Sequence, residues 1–163
     1  MRLNISRRAA VTTLGLVVCG MLLAGCSLFE VPIPANDVQA AEVEGNWHTD
    51  HGQGKRTQLE LRPDGTADWT GVPDGVFDGF ASTLSLDWNS RTDYHGTWAL
   101  EQDQGPAGDD YQIVHLRIDI ENRPWGYWLY VMGPTDGRSL YQWLGDPDSA
   151  DRLTFRRDSN DSA

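Results

Sequence analysis

Six aromatic side chains crowd two neighbouring stretches, Trp125, Tyr127, Trp128 and Tyr130 in the first and Tyr141 and Trp143 in the second. Ring faces at this density can hold a sugar ring, an apolar ligand or the surface of a partner protein. The competing reading is packing. The first stretch, residues 125–132, is apolar or aromatic on both alternating faces, as a strand covered on both sides would be, and aromatic runs in strands more often serve packing than binding.

Two polar groupings offer other chemistry. His48-Thr49-Asp50-His51 brings imidazoles and a carboxylate close together in sequence, but strand alternation puts positions 48 and 51 on opposite faces, so the spacing favours surface histidines over metal ligands. Gly145-Asp146-Pro147-Asp148-Ser149-Ala150-Asp151 holds three carboxylates that could ligate calcium. Asp and Pro are also ordinary turn residues whose side chains accept from nearby backbone amides, and that reading is preferred. The sequence has no Gly-x-Ser-x-Gly elbow, His-Glu-x-x-His helix or phosphate-cradling glycine loop. It is therefore read as non-enzymatic, with no cofactor and no metal. The rival is a hydrolase using paired carboxylates, for which no particular pair stands out.

The remaining reactive group is the thiol of Cys26. Before it come Arg2, Arg7 and Arg8, an apolar run over residues 9–24, and no acidic residue. That is the layout of a secretory signal, to be removed rather than counted as a membrane span. Leu23-Ala24-Gly25-Cys26 resembles the lipobox of bacterial lipoproteins. The resemblance implies cleavage before Cys26, acyl chains on that residue and a location on the outer face of the cytoplasmic membrane. Ser6-Arg7-Arg8-Ala9 is similar to the start of a twin-arginine signal, and a general secretory signal would also carry two arginines.

Loss of residues 1–25 removes three arginines and no acid. The tally of 13 basic and 24 acidic residues becomes 10 and 24, and the formal charge moves from −11 to −14. So acidic a surface repels phosphate backbones, which excludes nucleic acid as a partner and leaves a cationic protein or a small apolar ligand. Cys19 falls within the removed segment and Cys26 carries lipid, so the expected domain has no disulfide and depends on its core. All seven tryptophans lie after Cys26 and are expected to supply that core.

Residues 26–41, with Pro32 and Pro34, read as a lipidated tether, and residues 42–163 as one domain. Within it, short alternating or aromatic runs fall at about 43–49, 56–62, 66–70, 82–88, 94–101, 111–120, 125–132, 139–144 and 152–157, separated by Gly, Pro and Asp. The pattern predicts an all-β fold, an antiparallel up-and-down barrel or a sandwich of about 8–9 short strands. Leu59 and Leu61, Val114, Leu116 and Ile118, and Leu153 and Phe155 mark inward faces. Pro63-Asp64-Gly65 and Asp136-Gly137 predict tight links, the glycine of each free to take a positive φ. Val76, Phe77 and Phe80 lie in a segment, 72–81, that reads either as a loop or as a lid on the sheet.

Gly45-Asn46-Trp47, the Leu-x-Leu-x-Pro-Asp-Gly-Thr hairpin of residues 59–66, Gly96-Thr97-Trp98, Gly145-Asp146-Pro147-Asp148-Ser149 and Phe155-Arg156-Arg157 together resemble a group of actinobacterial lipoproteins to which no activity is assigned. The resemblance implies location and fold. Gly45-Asn46-Trp47 also resembles the Gly-x-Trp motif of lipocalin-like barrels. That implies a tryptophan closing one barrel end, stacked with an arginine of the last strand (Arg156 or Arg157), and a ligand-holding interior. Thr92-Asp93-Tyr94 is similar to a second lipocalin motif but stands earlier in the strand order than in those barrels.

Overall fold

The computed structural model describes residues 34–52, 54–104, 108, 110–120, 123–149 and 151–158. Cys26, the export signal and the first part of the expected tether lie outside these. Eight strands form a closed antiparallel barrel, each pairing with its sequence neighbour and the last returning to the first. They are β1 (Gly45–Asp50), β2 (Arg56–Leu61), β3 (Thr66–Asp74), β4 (Asp87–Gln104), β5 (Asp110–Ile120), β6 (Arg123–Met132), β7 (Ser139–Trp143) and β8 (Arg152–Arg157). The fold is thus the up-and-down barrel of the two expected architectures.

Alternation in the sequence becomes two faces in the structure. Leu59, Leu61, Val114, Leu116, Ile118, Leu153 and Phe155 all point inward and are buried. Trp69 centres this interior, edge-on to Phe155 at 5.7 Å and to Phe77 at 5.6 Å. Its indole N–H is satisfied by Thr57 Oγ1 at 2.9 Å, whose own hydroxyl donates to Thr70 O. An indole buried with its polar edge paired contributes its full apolar area to stability. Trp47, Trp69, Trp88 and Trp98 serve the core as expected, whereas Trp125 and Trp128 are about half exposed.

Two expectations about the backbone are corrected. The runs at 82–88 and 94–101 are not two strands: β4 continues unbroken from Asp87, and residues 82–86 are loop. The exposed polar stretch Asn89–Asp93 lacks an apolar face, yet it pairs with Val72 and Pro73 where β3 bulges after Trp69. Asp93 Oδ1 holds the bulge by accepting from Gly71 N–H at 2.7 Å. In the β6–β7 link, a 3-10 turn covers Thr135–Gly137, and the left-handed φ falls on Gly133 at 88° rather than on Gly137.

One barrel end is closed by a short helix, α1 (Ala40–Val43), with Val38 and Val43 buried beneath it. Trp47 is fully buried there and donates its indole N–H to Val43 O at 2.8 Å. The guanidinium of Arg157 lies 4.9 Å over the Trp47 ring and donates to the carbonyls of Glu42 and Glu44, each at 2.6 Å. This is the arrangement that the Gly-x-Trp resemblance implies. Beside it, Arg138 is buried among Asp37, Glu42 and the Gly133 carbonyl. Of the expected tether, residues 34–41 are described and are built into the barrel. Ala35 donates to Val131 O at 2.7 Å and accepts from Gln112 N–H at 2.9 Å, wedged between β5 and β6.

Candidate functional site

The barrel is joined unevenly around its circumference. β4 and β5 share nine registered pairs, but β6 and β7 share three, Tyr130 with Tyr141, Val131 with Leu140 and Met132 with Ser139. On the other side, β8 meets β1 only at Arg157–Trp47 and Arg156–His48. The β7–β8 hairpin is therefore held firmly at the closed end and splays from both neighbours toward the other end, the mouth.

A cleft of about 400 Å³ occupies the β6–β7 gap. Its β6 wall is residues 125–128 and Tyr130, its β7 wall Gln142 and Trp143, and its third side Val76–Gly79 of the β3–β4 loop, with Gly145 and Pro147 at the hairpin tip. That loop is the lid of the two sequence readings in part only. Val76 is buried and Phe77 packs on Tyr127 at 4.4 Å and Tyr94 at 5.3 Å, but Phe80 projects into solvent, 98% exposed, as does Leu84. A clasp joins lid to hairpin: Asp151 Oδ2 accepts from Thr83 N–H at 2.8 Å, and the two backbones touch where Gly145 meets Ala81.

Five of the six aromatic residues singled out by the sequence, Trp125, Tyr127, Trp128, Tyr130 and Trp143, line this one cleft. The sixth does not. Tyr141 is buried behind it, stacked on Tyr130 at 5.1 Å and edge-on to Trp143 at 5.2 Å, and burial pushes its phenol up to about 12. Arg152 covers this pair, its guanidinium carbon 5.7 Å from the Tyr141 ring and 5.9 Å from that of Trp143.

Sequence reasoning singled out Tyr127 for its ring and missed Gln142, the two residues that form the polar floor of the cleft. Gln142 is buried with Oε1 unpartnered, and Tyr127 has a buried hydroxyl without a partner. Burial, reinforced by Tyr94, pushes the Tyr127 phenol up to about 12. An unpaired buried polar atom costs about 1–3 kcal/mol, and both residues belong to the cleft lining. The available signal was Gln142 itself, a polar residue in register with the inward-facing Leu153. Asp78, exposed on the lid, is the one acid among the described lining residues, and none of these is basic.

Of the other sequence candidates, the histidines are not among the lining residues, although His115 packs on Trp128 at 6.2 Å, and the acidic turn reaches the cleft through Gly145 and Pro147. His48 Nδ1 is 2.6 Å from Asp158, and His115 Nδ1 is 3.0 Å from Glu101. His95 pairs with Asp68, and His51 packs on Trp88, where burial lowers its pKa against the pull of Asp50 and Asp151. Among the described residues no three His, Cys, Asp or Glu side chains assemble as a metal site. In the acidic turn, Asp146 Oδ1 accepts from Asp148 N–H at 2.9 Å and the Asp146 carbonyl from Ser149, the turn chemistry its composition predicts. Comparison of the chain with known protein families, curated proteins and solved structures gives no match.

Proposed function

We propose that this chain is an extracytoplasmic lipoprotein, anchored to the outer face of the cytoplasmic membrane by acyl chains on Cys26, whose lipocalin-like barrel is a non-enzymatic binding domain. The observation that carries the reading is the seam cleft, where five aromatic side chains meet two buried, unpartnered polar atoms. A surface kept only for packing gains nothing from such atoms, whereas a binding site gains a hydrogen bond at each when filled.

The filled interior favours the seam over an inner calyx as the place of binding. Trp47, Trp69, Phe77 and Phe155 occupy the space where a lipocalin-like barrel would hold an apolar ligand. An apolar ligand in the cleft would also leave Tyr127 and Gln142 unpaired, so a protein-interaction role is preferred. A carboxylate hydrolase needs two facing acids, and the cleft offers Asp78.

Native mass spectrometry of the chain extracted from its own membrane tests the binding role. A partner protein carried along as a discrete extra mass, and lost when Trp128→Ala is introduced, is the expected result; a partner retained by that variant would move binding elsewhere. For the anchor, Cys26→Ala should shift the chain from the membrane to the soluble fraction, and continued membrane association would refute lipidation at that residue.

A further inference from the structure

We infer that the seam cleft takes a cationic side chain, lysine or arginine, presented by a basic partner protein. The inference rests on the reading of the cleft as a binding surface and adds the chemistry of its occupant.

Four observations converge on a cation. The cleft is lined by five aromatic rings, and an aromatic face carries the negative side of the ring quadrupole and attracts ammonium and guanidinium groups within about 6 Å. Trp125 and Trp128 are 49% and 55% exposed, open to such a group. Secondly, the same aromatic layer already accepts a cation on its other flank, where Arg152 lies over Tyr141 and Trp143. The protein uses this contact twice more, with Arg157 on Trp47 and Arg91 on Trp88.

Thirdly, the charge is complementary. Asp78 sits on the lid side of the cleft, Asp146 and Asp148 flank Pro147 at its tip, and the whole chain carries a formal −11. Arg117, across from Gly126 on β5, faces Glu101 at 3.6 Å. Fourthly, Gln142 Oε1 can only accept, and an ammonium or guanidinium can only donate. An anion would leave that oxygen unmet and would be repelled by the field; an apolar group would leave it unmet as well. A neutral saccharide could meet it but gains nothing from the surrounding acids. The residues of β6 from Trp125 to Leu129 have no registered partner on β7, so an extended segment carrying the cation has a strand edge to run along.

The test uses the full-length chain in amine-oxide micelles, followed by tryptophan fluorescence, with a capped heptapeptide of Gly and Ser around one central Arg titrated to millimolar concentration. The control peptide replaces Arg with citrulline, which keeps the shape and removes the charge. Saturable binding of the Arg peptide is expected, about ten-fold tighter than the citrulline peptide, weakened by salt, and reduced about ten-fold by Trp128→Ala and severalfold by Asp78→Asn. Both substituted residues are exposed, so neither variant threatens the fold. Equal affinity for the two peptides, or binding indifferent to Trp128→Ala, overturns the inference. If a neutral tetrasaccharide or N-phenyl-1-naphthylamine binds at Trp128 and the Arg peptide does not, the cleft is a binding surface for another class of ligand. If no probe binds and the native mass is clean, the binding reading falls with it.

Discussion

Trp47 shows how a single residue can carry both fold and legibility. Its ring is fully buried, its N–H is paired with Val43 O, and Arg157 covers its face. Trp47→Ala should therefore lower unfolding free energy by about 3–5 kcal/mol in urea melts, since it removes a large ring and leaves Arg157 without its platform. An unchanged midpoint would mean that the ring does not close the barrel. Gln142 is the opposite case. Its Oε1 is buried and unpaired, so Gln142→Leu should raise stability by about 1 kcal/mol while weakening occupation of the cleft. The tyrosines add a pH signature. Tyr127 and Tyr141 are pushed from 10.0 to about 12 by burial, so the folded state resists their ionisation. Their contribution is complete below pH 10 and declines as pH rises through 10 toward 12, because only the unfolded chain releases those protons at 10. Tyrosine difference absorbance should show this group ionising together with unfolding; free titration near 10 in the folded protein would contradict their burial. The aromatic residues of the site were legible because ring-rich runs stand out in any sequence. Gln142 was legible only through its period-two spacing from Leu140 and Leu144, a signal weaker than a run of rings because one polar residue on that face reads as an interruption of the core.

At the scale of elements, strands with a strict period of two were legible and those held by other means were not. β5 and β8 alternate cleanly and lie where expected, whereas the first part of β4 reads as polar loop because its pairing on the β3 bulge buries no apolar face. The lid and hairpin tip meet through a contact that sequence cannot show. Gly145 has φ of +62°, and a Cβ there would stand 2.6 Å from the carbonyl oxygen of Ala81. Gly145→Ala is expected to cost about 1–3 kcal/mol and to speed amide exchange in residues 76–86 more than in β5, since the clasp gives way before the barrel does. Equal protection of the lid in both proteins would show that Thr83–Asp151 holds it unaided. Phe80→Ser, by contrast, should leave the melting temperature within a degree or two, because the ring touches solvent rather than core.

At the scale of the molecule, the two ends of the barrel have different neighbours. Pro34, the first described residue, bridges to Met132 at the closed end. Trp125 stands seven residues away along β6, about 23 Å at 3.3 Å per residue, on the side of the mouth. Pro34 stands eight positions after Cys26, a reach of at most about 28 Å when fully extended. An anchor on Cys26 would thus draw the closed end toward the bilayer and leave Phe80, Leu84, Trp125 and Trp128 facing outward, where a soluble basic partner can reach them. The same four exposed side chains are also what an interfacial membrane contact would use, if the barrel lay on its side. Full-length protein in vesicles carrying a spin label on the lipid acyl chains separates these orientations. Tryptophan emission from Trp125 and Trp128, isolated by comparison with the Trp125→Phe/Trp128→Phe double variant, should escape quenching if the mouth faces away from the bilayer. Strong quenching of that component would place the aromatic face in the membrane and take it away from any partner in solution.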